Sequence, residues 1–391
     1  MISVILSGSA IPIDHAVFTT LLDNSVAGTY KGYEQALEMA SIKYTDLVRL
    51  SEKGDIPIPL FFAPLPLVQV QVAAKTQKLL AGVSKDTFSI GSRAKVNLRD
   101  VELIVKDLIR KQELLRKHDQ SLARNKIVDL LRKPDPSPDT DAARLMHALD
   151  LSHDSIRACR KREDALELMI ERIEANQVLV SRSVQHYMPQ RLTHVSFSGM
   201  TISDSKVPFI FLAGGDQSDQ QEPVGRTVFT LALMTVLIAR RIFAPMTWDG
   251  GSAETELGDE YDVAGAMLMP KERLMTIRPS SLDDTKRASD EFKVTASAVT
   301  LRAMRLGIVS RDIARSHLEE LRVEFLERPK GGPLGQILPE NAVRKYGGRE
   351  LSKRMLRALD STSISPGEFC RAVCLNRLKP NRIDNLRRVV A

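Results

Sequence analysis

Seven histidines stand at positions 15, 118, 147, 153, 186, 194 and 317. Two imidazoles share one zinc most simply from positions i and i+4 of a helix, which lie on one face. No pair here has that spacing and no H-E-x-x-H occurs. His147 and His153 come closest, and a spacing of six predicts different helix faces. The segment DGGSAETELGDEYD (249–262) gathers Glu254, Glu256, Asp259, Glu260 and Asp262. Such a cluster can hold a hard cation such as Mg²⁺ or Ca²⁺. It lacks the D-x-D-x-D-G spacing of a calcium loop, and acidic side chains favour a helix N-terminus. It reads as a solvated loop leading into a helix. Cys370 and Cys374 are four apart with no third or fourth ligand beside them, so they read as small buried apolar residues. With Cys159 they make three cysteines, which is no disulfide framework and fits a reducing cytoplasm. KGGPLG at 330–335 lacks G-x-x-x-x-G-K-[ST] and reads as a loop between helices. No Ser-His-Asp or Cys-His arrangement can be nominated. The expectation is no catalytic residue, no metal and no cofactor.

The elements that would position a site follow from composition and pattern. The chain has 391 residues, 43% of them apolar and 27% charged, with a formal net charge of +7. That length supports two or three domains with substantial cores. The mild positive charge permits a nucleic acid or an acidic partner without demanding either. The N-terminus, MISVILSGSAIPIDH, has no basic region ahead of its five-residue apolar run, and reads as a first strand rather than a signal peptide. GYEQALEMASIKYTDLVRLSEKGDIPIPLFFAPLPL predicts two short helices and an exit punctuated by Pro57, Pro59, Pro64 and Pro66. Helical periodicity runs over 98–132, with Val101, Leu103, Ile104, Val105, Leu108 and Ile109 on the apolar face. KPDPSPDTD (133–141) is the clearest linker. Helices are expected at about 141–149 and 154–176, then strands in VLVSRSV, HVSFSGMTI and VPFIFLAGG. The last of these runs into the turn Gly214-Gly215-Asp216.

GRTVFTLALMTVLIARR (225–241) follows. Its most apolar part, Val228 to Ala239, is too short for a bilayer, which takes roughly 20 residues. A helix apolar on every side with arginines at both ends is a buried central helix. VAGAMLMP, stopped by Pro270, is a second one. The remaining third is helical. The fold class is therefore α+β, mostly helical, with a small mixed sheet and two buried core helices between helical ends.

The order of these pieces resembles the long form of the ImmA/IrrE family of zincin-like proteins. ALEMASIKYTDLVRLSEKGDIPIPLFF is similar to that family's front segment and IRKQELLR to its R-Q-x-x-x-R helix. VPFIFLAGGD resembles its buried strand, GRTVFTL the start of its motif helix and AGAMLMP its second core helix. EFKVTASAVTLRAMRLGIVS and KYGGRELSKRMLRAL resemble its tail. The likeness runs from about residue 29 to the C-terminus. It implies an N-terminal helical region at 1–132, degenerate and helix-turn-helix-like, then the linker 133–141. A zincin-like domain at 142–280 and a C-terminal helical region at 281–391 complete it. Active members carry H-E-x-x-H on the motif helix, where the glutamate is general base for the metal-bound water. This chain has Leu233, Met234 and Leu237 at those positions. The third ligand of active members has no replacement either: Glu256 is one residue out of register, and Glu260 would need a deletion in the loop.

The resemblance thus implies a pseudo-peptidase whose domain folds without zinc. Relatives regulate mobile elements, stress responses, toxin–antitoxin pairs or phage defence, acting on repressor-type partners. The leading expectation is a cytoplasmic, non-catalytic regulatory protein. It would hold a protein partner of repressor, antitoxin or toxin type in the old peptidase groove, around Gly214, Gly215, Asp216 and Glu256. A second reading is a DNA-binding regulator using the basic C-terminal helices, with Arg377, Lys379, Arg382, Arg387 and Arg388 at the phosphates. A third, a metallopeptidase with an unconventional site, has no residues to nominate. No membrane span is expected.

Overall fold

Alternating apolar residues begin the chain, and a computed structural model shows what they build. It describes residues 1–79, 98–185, 187–190, 192, 197–214, 222–243, 245–247, 258–327 and 337–391. The described residues up to Leu108 form one compact unit, and those from Ile109 onward form a second.

In the first unit, β1 (Ile2–Leu6) and β2 (Ser9–Ile13) pair antiparallel with Leu6 opposite Ser9. The two-residue loop between them has Ser7 at φ 50° and Gly8 at φ 85°. Two left-handed central residues match the twist of the flanking strands, and glycine takes the second at no steric cost. The helices are α1 (His15–Asp23), α2 (Lys31–Met39), α3 (Tyr44–Gly54) and α4 (Leu65–Leu79). The first half of α5 (Leu98–His118) completes the unit. Between α2 and α3, where the sequence suggested a helix-turn-helix-like turn, stands a short strand, β3 (Ser41–Lys43). It pairs parallel with β1, and the Ser3 amide donates to the Ala40 carbonyl at 2.9 Å. Ala40 ends α2 in the left-handed conformation at φ 48°, which turns Ile42 into the core. Phe18 anchors that core, its ring centroid 5.8 Å from Tyr33 and 6.1 Å from Phe61. One carboxylate is buried with it. Glu102 of α5 accepts from the Val26 amide at 2.7 Å, with Lys75 and Lys106 within 2.6 and 3.0 Å.

In the second unit, α5 ends and α6 (Pro138–Ala148), α7 (His153–Arg157) and α8 (Arg162–Ala175) follow. A sheet is built from β4 (Leu179–Arg182), β5 (Phe197–Ile202), β6 (Phe209–Leu212) and β7 (Pro245–Thr247). Its order is β4-β6-β5-β7, with β4 and β6 parallel and the other pairs antiparallel. All four side chains of β6 are buried, as a strand covered on both faces requires. Between β6 and β7 runs α9 (Val224–Ala239), packed on β5 and β6 and flanked by α8 and by α10 (Asp259–Leu268). Then come α11 (Lys271–Ile277), α12 (Leu282–Glu291), α13 (Ala296–Arg305) and α14 (Arg311–Glu327). The chain closes with α15 (Pro339–Gly347), α16 (Arg349–Asp360), α17 (Pro366–Ala372) and α18 (Ile383–Val390). The expected α+β class, mostly helical, is what stands, with two small mixed sheets. Among the described residues no helix is long and apolar enough to cross a membrane.

Three boundaries differ from the sequence reading. The periodic stretch 98–132 is helical only to His118. Beyond it Asp119 accepts from the Ser121 amide at 2.9 Å, and Asn125 accepts from those of Ile127 and Val128 at 2.8 and 3.2 Å. Short polar side chains that bond nearby amides compete with a helix in this way. The helix expected over 154–176 is two, because Lys161 is extended and its amide donates to Asp164 at 3.1 Å, starting α8 afresh. Residues 133–141 do not part the compact units, whose division falls within α5. Pro138 already opens α6, and Asp141, fully buried, accepts from the Asp135 amide at 3.1 Å.

Candidate functional site

The residues at the motif positions sit in the second unit's core. Leu233 is 3% exposed, and Met234 and Leu237 are fully buried. Thr235, the polar residue among them, satisfies its hydroxyl on the Leu231 carbonyl at 2.7 Å. This stretch of α9 therefore presents no unpaired polar side chain that would call for an ion. The helix begins against the chain at residue 294. A Cβ on Gly225 would stand 2.5 Å from the Val294 carbonyl carbon, so only glycine permits that approach. Ahead of it, burial pushes the Glu222 carboxyl up to about 7, opposed by Arg226, whose Nε lies 3.9 Å away.

The far end of α9 carries a buried charge network that the sequence did not announce. Arg240 bonds Asp141 at 3.0 Å and also Asp259, the first residue of α10. Beside it Arg302 of α13 reaches Asp139 at 3.3 Å and Asp262 at 3.5 Å, and Arg305 grips Asp262 from Nε at 2.7 Å. Burial pulls the Arg302 guanidinium below its ordinary range, and the two aspartates oppose that. Asp259 and Asp262 stand in the first turn of α10, the helix N-terminus expected there, and in addition are partners of arginines. An arginine after an apolar run normally reads as a solvent-facing helix end, so no local pattern marked Arg240. Glu254 and Glu256 lie outside the described residues. Among the described residues no group of three or more His, Cys, Asp or Glu is placed to hold a metal ion.

At the nominated groove, Gly214 follows β6 with φ 62°, the left-handed turn expected after the buried strand. Ser183 holds this exit: its amide donates to the Leu212 carbonyl at 2.9 Å and its hydroxyl to that of Ala213. Gly215 and Asp216 lie outside the described residues. The other end of β6 is held by Gln112 and Arg116 of α5, from the stretch IRKQELLR. Gln112 donates to the carbonyls of Val207 at 3.0 Å and Ser203 at 3.4 Å, and Arg116 meets Asp204 at 3.0 Å. Next to Gln112, Lys111, fully buried, lies over the Tyr346 ring, 4.2 Å from its centroid. Cys374 is buried nearby and desolvation pushes its thiol up to about 12, with Cys370 raised for the same reason. Neither thiol is disposed to ionise, in keeping with their reading as apolar filler.

Three of the five tail cations, Arg382, Arg387 and Arg388, have side-chain partners within the fold. Ile383, Leu386 and Val390 turn α18 inward against α15 and α16. Arg382 bonds both oxygens of Glu340 at 3.1 and 2.8 Å, and Arg387 forks onto Asp360 at 3.0 and 2.5 Å. Arg388 donates to the Asn385 side chain at 2.7 Å. Arg377 and Lys379 are exposed on the turn between α17 and α18.

His147 and His153, whose spacing of six predicted different helix faces, line one open cleft of about 660 Å³ between α6, α7 and α11. They sit on different helices, and the turn between α6 and α7 brings them together. His153 Nε2 is 3.0 Å from the Ala266 carbonyl. Arg157 and Arg273, also on the cleft wall, converge on Glu291. No family model, no curated protein and no solved structure matches this chain.

Proposed function

We propose that this chain is a non-catalytic, ImmA/IrrE-like regulatory protein. Its zincin-like domain serves as a scaffold for a protein partner of repressor, antitoxin or toxin type, in a prophage, toxin–antitoxin or phage-defence setting in the cytoplasm. The observation that carries this reading is the joint burial of Leu233, Met234 and Leu237 in α9. Aliphatic and thioether side chains offer neither a zinc ligand of useful strength nor a general base. Their burial contributes roughly 1.5–3 kcal/mol of apolar stabilisation each. A mixed sheet backing α9, with α10 packed beside it, supports the zincin-like reading, and the proposed partner groove would run past the Gly214 turn at the end of β6.

The test is metal content together with thermal melting. Purified without chelator, the protein is expected to carry well under 0.1 zinc per chain (a threshold on the order of one tenth of a stoichiometric site). Excess EDTA is expected to leave its melting midpoint unchanged. About one zinc per chain, or a midpoint that drops with EDTA, overturns the reading and returns an enzyme to consideration. A Leu233→His/Met234→Glu/Leu237→His variant adds a positive control. Three polar groups forced into this core should unfold it in EDTA, with zinc restoring part of the loss.

A further inference from the structure

Glu174 ends α8 with its side chain almost wholly buried, 3% exposed. Its two oxygens hold two separate parts of the chain. Oε1 accepts from the Val180 amide at the start of β4 at 3.3 Å, and Oε2 from the Glu350 amide in the first turn of α16 at 3.1 Å. The first amides of a helix have no partner within it, and a side chain just before the helix usually supplies one. Before α16 stands Gly348, which has no side chain to offer and sits at φ 91°. A Cβ there would be 2.6 Å from Glu174 Oε1 and 3.0 Å from the Val180 carbonyl oxygen. The glycine leaves its place to a carboxyl group from elsewhere in the chain. The same junction is fixed by the Ser181 hydroxyl, which donates to the Tyr346 carbonyl at 2.6 Å.

From this arrangement we infer that Glu174 is a proton-controlled clasp: its carboxyl group fastens the first turn of α16 to α8 and β4, and ionisation loosens that turn. The surrounding charges are committed elsewhere. Arg182 of β4 and Arg344 of α15 both meet Glu167, at 2.5 and 3.4 Å. Glu350 of α16 meets Arg354, which also takes Asp119, each at 2.7 Å. Arg172 of α8 turns to Asp150, and Arg349 bonds the Val390 carbonyl beside the chain end. None of these cations forms an ion pair with Glu174 among the described residues. A carboxylate without a counter-ion in a dry site favours its neutral form. Burial accordingly pushes the group up to about 7, against the pull of the two amide bonds, with Glu350 adding to the rise and Arg182 opposing it.

The direction of control follows from linkage. The closed clasp prefers the neutral acid, whereas an opened first turn lets water reach the carboxyl and returns it to its ordinary value of 4.5. The clasp's hold is therefore complete below pH 4.5 and falls away as pH rises through about 7. The opening equilibrium grows by about tenfold per pH unit across that window and levels above it, on the order of 300-fold in all.

Hydrogen exchange on the full chain reads this directly, in peptides spanning 176–182 and 347–353 and corrected for intrinsic rates, between pH 5.5 and 8.5. In the natural protein, protection is expected to fall about tenfold per pH unit up to about 7 and then level. Glu174→Gln, which cannot ionise and keeps one of the two amide bonds, should be weaker overall and show a flat profile. Glu350→Gln removes the like charge and should move the bend to lower pH. A flat profile in the natural protein, or the same slope in Glu174→Gln, overturns the inference. If Glu174→Gln does not fold, the bend in Glu350→Gln decides alone: no shift overturns the clasp.

Discussion

Single residues in this chain are constrained mostly by what approaches them from far along the sequence. Gly225 is one of them. On the sequence it is a small residue near a helix start, where alanine would be welcome, but the chain at residue 294 comes within reach of its missing Cβ. Gly225→Ala is therefore expected to destabilise the protein by about 1–3 kcal/mol, since a methyl group there must displace backbone rather than a flexible side chain. Urea denaturation checks this, and an unchanged midpoint would show that residue 294 yields. The same limit explains which charges were legible. Cys370 and Cys374 were readable as apolar because no ligand partner stood near them in sequence. Arg240 and Glu174 were not, because their partners stand at Asp141 and Asp259 and at Val180 and Glu350.

Elements were read best where periodicity had no competitor. The run from Val228 to Ala239 could only be a buried helix, and β6 could only be a buried strand. The reading failed at 119–132, where Asp119 and Asn125 supply local acceptors that periodicity ignores, and at Ser41–Lys43, where three residues are too few to show a strand's alternation. The stretch IRKQELLR stands out as a pattern, and its physical role is to hold the turn between β5 and β6. Gln112 is buried and serves two carbonyls there. Gln112→Leu keeps the volume and removes the donor, leaving the Val207 carbonyl unpaired, at a cost of about 1–3 kcal/mol. Hydrogen exchange should show the loss concentrated at 203–209 in advance of global unfolding. Uniform loss across the second unit would mean that Gln112 acts through packing alone.

At the scale of the whole molecule, a run of charge in the sequence does not show which charges folding will pair. The tail from Phe369 to Ala391 holds six basic residues against one acid, the basis of the second reading, in which it contacts DNA. Folding brings Glu340 and Asp360 to it from earlier helices, and these take Arg382 and Arg387. Removing the partner of a nearly buried carboxylate costs more than removing an exposed charge. Arg382→Ala with Arg387→Ala should lower stability by about 1–3 kcal/mol, most of it from stranding Glu340. Arg377→Ala with Lys379→Ala, on the exposed turn, should change it by no more than about 0.5 kcal/mol. Urea denaturation of the two double variants separates these roles, and equal effects would mean that the ion pairs do not hold α18. A gel-shift series in salt extends the comparison to DNA. Arg382 and Arg387 already have carboxylate partners, so a DNA complex on this tail would draw its phosphate contacts mainly from Arg371, Arg377, Lys379 and Arg388, and its salt slope would report that small number. A salt-steep complex abolished by the Arg377 and Lys379 pair alone would place DNA on the turn between α17 and α18. The buried face of α18 would still be held by Ile383, Leu386 and Val390.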